Sequence, residues 1–280
     1  MKTVGYYNGI IDEVENLKIP VLDRSVYFGD GVYDVAICEN RKTFQFDRHI
    51  DRFYRSCRKL DIDFNMSKTD LKELLNELIA KADDDDLMIY WQASRGIAPR
   101  KHEYYDNIEP ALLVMITPFK VPDYRKKMRL ITVPDTRFLH CDIKTINLIP
   151  NVIAAKKAMD SGCQEAVLHR GSYVTECAHS SLFIIKDDEL LMPPQSEFIL
   201  PGITRKVIEK ICAENEIPLR YGRFNVDDMM AADEIIVAST TKHVASASEI
   251  DNIPVGGKNP ELLELIQTLF MAEFAKETAE

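Results

Sequence analysis

The period of apolar and polar positions changes several times along the chain, and each change marks an element. From residue 2 to about 46, short runs of β-favouring residues are broken by turn residues. KTVGYYNG is the first, and in GVYDVAICENRKTFQF the central ENRK separates two strand-like runs as a hairpin turn would. After Asp47 the spacing becomes helical, with Ile50, Phe53, Cys57 and Leu60 stacked on one face. Ser67 predicts the start of a second helix, with Asp70 as its capping-box acid and Leu71, Leu74, Leu75 and Leu78 as its buried stripe. Two mostly apolar runs follow, LMIYWQAS (87–94) and ALLVMIT (111–117), and predict strands covered on both faces.

The stretch PFKVPDYRKKM (118–128) has two prolines, a charge cluster and no apolar period, which predicts a linker. The expected organisation is an N-terminal α/β domain over 1–118, a linker over 119–128 and a C-terminal domain over 129–280. Beyond the linker the pattern predicts a strand at RLITV and a helix from Pro150 to a stop at Gly162. Strands QEAVLHR and SLFIIK, a helix from Ile203 to about Glu216, strand DEIIVAS and a final amphipathic helix, PELLELIQTLFMAEFAKE, complete it. The acidic run from Asp83 to Asp86 lacks the spaced ligands, central Gly and closing Glu of a calcium loop, so a solvated turn is expected there.

Composition narrows the class. Apolar residues at 46% and charged residues at 29% exclude disorder and low complexity. A net charge of −10 opposes an electrostatic grip on nucleic acid or on an anionic membrane. The six cysteines, Cys38, Cys57, Cys141, Cys163, Cys177 and Cys212, are scattered with no C-x-x-C pair, as suits buried free thiols in a reducing compartment. No apolar run reads as a secretory or membrane-spanning segment, and a cytoplasmic protein is expected.

The serine elbow, H-E-x-x-H, the Walker loop and G-x-G-x-x-G are all missing, so hydrolase, zinc-protease, nucleotide and dinucleotide readings have no motif behind them. Seven short motifs remain. GDGVYDV (29–35) sets two glycines around an acid at the mouth of a strand, where a tight turn alone would suffice. HIDR (49–52) puts Arg52 beside a buried helical stripe, and RGIAPRKH (95–102) is a Gly/Pro-shaped loop with Arg95, Arg100, Lys101 and His102, suited to a carboxylate or simply to the surface. In CDIKTINL (141–148), Lys144 lies among Cys141, Ile143, Ile146 and Leu148. An unpaired ammonium there would be costly, and desolvation favours a neutral nucleophilic amine for Schiff-base chemistry. VTE (174–176) ends a strand on Glu176, which is either a satisfied acid or the partner of a positively charged ring nitrogen. In LPGITR (200–205), Gly202 turns the chain into a helix whose Ile203 and Thr204 offer N–H groups to an anion. ASTT (238–241) adds Ser239 and Thr240 at a strand end.

Taken in order, these motifs resemble the class IV pyridoxal-phosphate aminotransferases, and among them most the bacterial D-amino-acid aminotransferases, over nearly the whole chain. The resemblance implies an α+β, two-domain fold type IV enzyme with a smaller N-terminal α/β domain and a larger C-terminal domain around a mixed, barrel-like sheet. It implies pyridoxal 5'-phosphate as cofactor and transamination between a D-amino acid and a 2-oxo acid through a Lys144 aldimine. By the same resemblance Glu176 pairs with the ring nitrogen, and Arg52, Ile203, Thr204, Ser239 and Thr240 form the phosphate cup, with Leu200 beside the ring. Tyr33, Arg100 and His102 match the trap for the substrate carboxylate, the latter two reaching in from the other subunit of a homodimer. Branched-chain L-aminotransferases, (R)-amine transaminases and aminodeoxychorismate lyases share the fold, and a non-catalytic relative is the remaining alternative. The RGIAPRKH loop favours the D-amino-acid reading. Two departures bear on substrate range. Cys177, Ala178, His179, Ser180 and Ser181 stand where the family has small residues and then Asn, and Asp34 stands where the nearest relatives tend to carry Glu.

Overall fold

The computed structural model describes residues 1–279. Its residues group into two compact units: Met1–Lys120 with Ile143–Asn147 and Ala275–Glu280 in one, Val121–Asp142 with Leu148–Phe274 in the other.

The first unit is a six-stranded sheet in the order β2-β1-β6-β5-β3-β4, antiparallel throughout. Its strands are β1 (Val4–Tyr7), β2 (Ile10–Asp12), β3 (Gly31–Glu39), β4 (Lys42–Thr43), β5 (Leu87–Ser94) and β6 (Ala111–Pro118). The expected hairpin turns on Asn40 and Arg41, both with positive φ, which matches the right-handed twist of the strands it joins. Helix α2 (Phe46–Lys59) buries Ile50, Phe53 and Cys57. In α3 (Lys68–Ile79), Leu71, Leu75 and Leu78 are buried, and the Ser67 hydroxyl accepts from the Asp70 amide. Trp91, Phe53 and the α3 leucines make one core between helices and sheet. β5 is not covered on both faces as its composition suggested. Burial alternates along it, because helices lie against one face and Tyr90 and Gln92 on the other remain half-buried. The acids of the 83–86 turn make ion pairs, Asp85 with Arg41 and Asp83 with the Met1 amino group.

Among the elements that the pattern did not foresee is α1 (Arg24–Phe28), capped by Asp23 and closed by Gly29 in the left-handed region. Val26, Tyr27 and Phe28 favour strands, and a five-residue helix is too short to show a period; its caps define it instead.

The second unit is built on a nine-stranded mixed sheet, β12-β11-β10-β13-β14-β7-β8-β9 with β15 paired to β14. The strands are β7 (Met128–Pro134), β8 (Glu165–Arg170), β9 (Tyr173–Cys177), β10 (Ser181–Lys186), β11 (Glu189–Met192), β12 (Leu219–Tyr221), β13 (Glu234–Ser239), β14 (His243–Ile250) and β15 (Ile253–Pro254). Its helices are α4 (Ile149–Asp160), α5 (Ile203–Glu214), α6 (Val226–Met230) and α7 (Pro260–Thr278) as far as Phe274, the last turn of α7 from Ala275 grouping with the first unit. The pairs β7–β8, β7–β14 and β11–β12 are parallel and the others antiparallel, so the sheet is mixed as expected. The six cysteines are free thiols, buried except for half-buried Cys141. Among the described residues no helix is long and apolar enough to cross a membrane.

Buried groups here make stability depend on pH. The His243 ring packs on Phe270 and Phe274 with centroids 5.4 and 4.6 Å away, and neither ring nitrogen has a hydrogen-bond partner. Burial lowers its pKa from 6.5 to about 4, so between these values the unfolded chain binds a proton that the folded chain does not. Stability should therefore fall by about 3 kcal/mol as pH drops through that window. Buried His49 adds to the loss in the same direction. Glu165, held at about 2 against an ordinary 4.5, loses its contribution only at lower pH. Urea midpoints measured from pH 7 to 4.5 are expected to decline, with a shallower slope in His243→Phe. An unchanged slope would exclude His243 as a source.

Candidate active site

In the first unit, the segment 143–147 lies along β3 through main-chain bonds. Tyr33 N–H donates to the Lys144 carbonyl (2.9 Å), Ile146 N–H donates to the Gly31 carbonyl (3.1 Å), and Lys144 N–H reaches Ser56 Oγ (3.3 Å). With its backbone fixed on both sides, Lys144 sends its Nζ over the Tyr33 ring, 4.2 Å from the centroid. The lysine is half-buried rather than enclosed; of its apolar neighbours only Ile143 is buried. Tyr33 stacks on Tyr90 (5.4 Å), whose hydroxyl donates to Gln92 Oε1 (2.7 Å). Gly31 is required by this packing, since a Cβ there would stand 2.6 Å from the Ala93 carbonyl oxygen.

Arg52 comes to β3 from α2. Its Nε donates to Asp34 Oδ2 (2.8 Å) and its Nη2 to Oδ1 (2.6 Å), while His49 Nδ1 also lies 2.7 Å from Oδ1. Burial alone would raise the Asp34 carboxyl, but Arg52 and then His49 hold it well below the usual carboxylate range. His49 shifts the other way: burial, outweighing Asp34, lowers it and keeps it neutral. The shorter acid at position 34 thus retains a firm contact to its arginine.

The loop carrying Arg100 and His102 belongs to the same unit. Both residues are exposed, and both lie against Phe28: the Arg100 guanidinium 4.9 Å from that ring's centroid, the His102 ring 5.2 Å.

In the second unit Glu176, the last residue but one of β9, is buried. Arg137 donates to its Oε1 and Leu200 N–H to its Oε2 (3.2 Å), so Leu200 is brought to the acid by its backbone. Arg137 is in turn gripped by Asp135 through Nε (2.9 Å) and Nη2 (2.8 Å), and Asp135 also receives Arg170 and Thr175. Burial raises the Glu176 carboxyl above its ordinary range despite Arg137. Sequence reasoning missed Asp135 and Arg137; the only signal was a charged D-x-R following a strand.

Helix α5 opens at Gly202, which offers no capping side chain, and its first ladder bond runs from Lys206 N–H to the Gly202 carbonyl. The N–H groups of Ile203, Thr204 and Arg205 precede that ladder. A Cβ at Gly202 would meet Ser181 Oγ at 2.9 Å, and Ser181 pairs with Ala238 at the end of β13. The helix start and the Ser239–Thr240 turn therefore converge around Ser181, which the motif reading left without a role. Beside them, His179 and Lys242 each reach Glu165 Oε2 at 2.9 Å and Ser180 Oγ reaches it at 3.0 Å. The unusual His179 thus ties the β9–β10 turn to the turn carrying Thr240.

Residues 31–250 match the family model described as amino-transferase class IV, and the chain belongs to that family. It is similar to the D-alanine aminotransferase of Listeria monocytogenes, 36% identical over 98% of this chain and 96% of that protein. The D-alanine aminotransferase of Bacillus licheniformis is 34% identical, over 98% of each. The fold is shared with the branched-chain amino acid aminotransferase of Escherichia coli, with a TM-score of 0.90 at 21% identity over 100% of this chain and 97% of that one.

Class IV aminotransferases use pyridoxal phosphate, and the residues present fit it. Ser239 Oγ is buried without a hydrogen-bond partner, α5 presents uncapped N–H groups, and the bare Cα of Gly202 keeps the space between them open. Glu176 offers a carboxylate whose burial favours a further positive group.

Proposed function

We propose that the chain transfers the amino group of a D-amino acid of the alanine or glutamate type to a 2-oxo acid such as 2-oxoglutarate or pyruvate, acting as a cytoplasmic homodimer. Nearly full-length similarity to D-alanine aminotransferases supports this. The observation that carries it is the 95–102 loop, which sets two cation-capable side chains side by side on Phe28.

When bound, pyridoxal phosphate supplies the electrophilic carbon that accepts the amino group and a ring that stores the electron pair left at the α-carbon. Lys144 Nζ takes the α-proton and returns it, and the Tyr33 ring beneath it limits its swing. The Glu176 carboxylate keeps the ring nitrogen protonated, and Arg137 keeps that carboxylate in place. Arg52, the N–H groups of Ile203 and Thr204, and the hydroxyls of Ser239 and Thr240 hold the phosphate, with Leu200 packed beside the ring. Tyr33 of one subunit with Arg100 and His102 of its partner receive the substrate carboxylate. Their exposure on the single protomer suits a role that a second subunit completes.

The test is a panel of D- and L-amino acids with 2-oxoglutarate, on the wild type and on Arg100→Ala. D-alanine or D-glutamate should be preferred. Loss of one charge-assisted partner, about 1.5 to 3 kcal/mol, should lower kcat/KM for the D-amino acid by roughly 10- to 150-fold. Preference for a branched-chain L-amino acid would replace the reading. Mixed dimers of Lys144→Ala and Arg100→Ala subunits should regain activity in hybrid sites, and no recovery after confirmed exchange would place the loop in its own subunit's site.

A further inference from the structure

The exposed loop between β5 and β6 spans sixteen residues, 95–110, a length at which loops are commonly mobile. Here its backbone is tied down at successive points. Arg24 N–H donates to the Gly96 carbonyl (2.9 Å), Ala98 N–H to the Leu22 carbonyl (3.0 Å), and Tyr27 Oη to the Ala98 carbonyl (2.6 Å). Past Ala98 the anchoring passes to a side chain. The Arg24 guanidinium, 3% exposed, donates through Nε to Asp30 Oδ2 (2.7 Å), through Nη1 to the Lys101 carbonyl (2.8 Å) and through Nη2 to the His102 carbonyl (3.4 Å). Its carbon lies 4.8 Å from the centroid of Phe28, the ring that also carries Arg100 and His102.

Asp30 is shared. Arg95 donates to both its oxygens (2.8 and 3.0 Å) and to the carbonyls of Asp61 and Leu60, with its guanidinium 4.1 Å over Tyr104. Two buried arginines thus flank one carboxylate: Arg95 fixes the base of the loop, Arg24 its crest. Only a planar fork reaches an acid and two carbonyls together; an ammonium on a lysine stem is a single point.

We propose that Arg24 is a positioning residue for substrate recognition. By bonding the carbonyls of Lys101 and His102 and packing on the Phe28 platform, it sets Arg100 and His102 before substrate arrives. The entropy of ordering two exposed side chains is then lost on folding rather than on binding. This rests on the reading that Arg100 and His102 bind the α-carboxylate, and it assigns work to the unforeseen helix α1: Arg24 opens it and Phe28 ends it.

The experiment compares Arg24→Met, Arg24→Lys, Arg100→Ala and Arg24→Met/Arg100→Ala as purified holoenzymes. Two donors are used, D-alanine in steady state and a primary amine of similar size without a carboxylate, the latter followed as single-turnover loss of the cofactor's visible absorption. In Arg24→Met, KM for D-alanine should rise about 10-fold with kcat within about threefold, and the amine rate should stay within about twofold. Arg24→Lys should fall between wild type and Met. Relative to Arg100→Ala, the double variant should lose clearly less with D-alanine than Arg24→Met loses relative to wild type, because once Arg100 is gone only His102 is left for Arg24 to position.

Equal losses for D-alanine and amine in Arg24→Met, or independent multiplication of the two substitutions, would overturn the positioning role while leaving carboxylate recognition by Arg100 intact. If Arg100→Ala itself failed to separate D-alanine from the amine, the carboxylate reading and this inference would fall together. Asp30 retains Arg95 in every variant. Should Arg24→Met nevertheless not fold, Arg24→Lys and Phe28→Leu carry the same comparison, and a KM for D-alanine unchanged in both would also overturn the role.

Discussion

Lys144→Ala is expected to lose turnover by at least four powers of ten while melting as the wild type does. The fold should persist because the contacts of residue 144 that hold its segment are main-chain ones: its carbonyl accepts from Tyr33 N–H and its N–H donates to Ser56, and alanine keeps both. Activity should not persist, because in the proposed mechanism the nucleophile and the proton carrier are the same atom. Acid-base assistance alone contributes about 10²- to 10⁴-fold, and loss of the covalent attachment adds to it. Transamination of D-alanine above a few per cent of wild type would remove Lys144 from the reaction.

Glu176→Gln should be the next most damaging change, at roughly 10²- to 10³-fold in removal of the α-proton. The amide can still accept from Leu200 N–H, and Arg137 keeps both its bonds to Asp135, so the site should stay assembled. What disappears is the negative charge facing a ring cation. Leaving one member of a buried ion pair uncompensated costs about 3–5 kcal/mol, against 1.36 kcal/mol for each tenfold in rate. Stopped-flow absorbance in a single turnover isolates the step, and an unchanged rate would assign the charge at the ring nitrogen to another group.

The two long helices of the first unit were legible because each lays apolar side chains against a sheet for three turns or more, long enough for a period to appear. Helix α1 was not, because its β-favouring Val26, Tyr27 and Phe28 conceal a helix that only Asp23 and Gly29 delimit. The site shows the same divide. Lys144, Glu176 and the α5 start could be picked out because each sits in a short contiguous motif. Asp135 with Arg137 and Glu176 could not, nor could His49 with Asp34, because those partners meet through strand and helix packing that leaves no trace in spacing; a contact of the acid at 34 to an arginine was implied by the resemblance alone. Ser181 is likewise found only through its register with Ala238 and its closeness to Gly202.

The first unit is discontinuous in sequence: besides residues up to Lys120 it claims Ile143–Asn147, the stretch bearing Lys144. A ribosome releasing the chain from its N-terminus therefore exports a nearly finished sheet that lacks the lysine proposed to react until more than twenty further residues have emerged. An excised fragment ending at Lys120 would carry Tyr33, Arg52, Arg100 and His102 but no amine to serve them. Gene fusions, split reporters or domain exchanges cut at the apparent midpoint would accordingly separate recognition from chemistry.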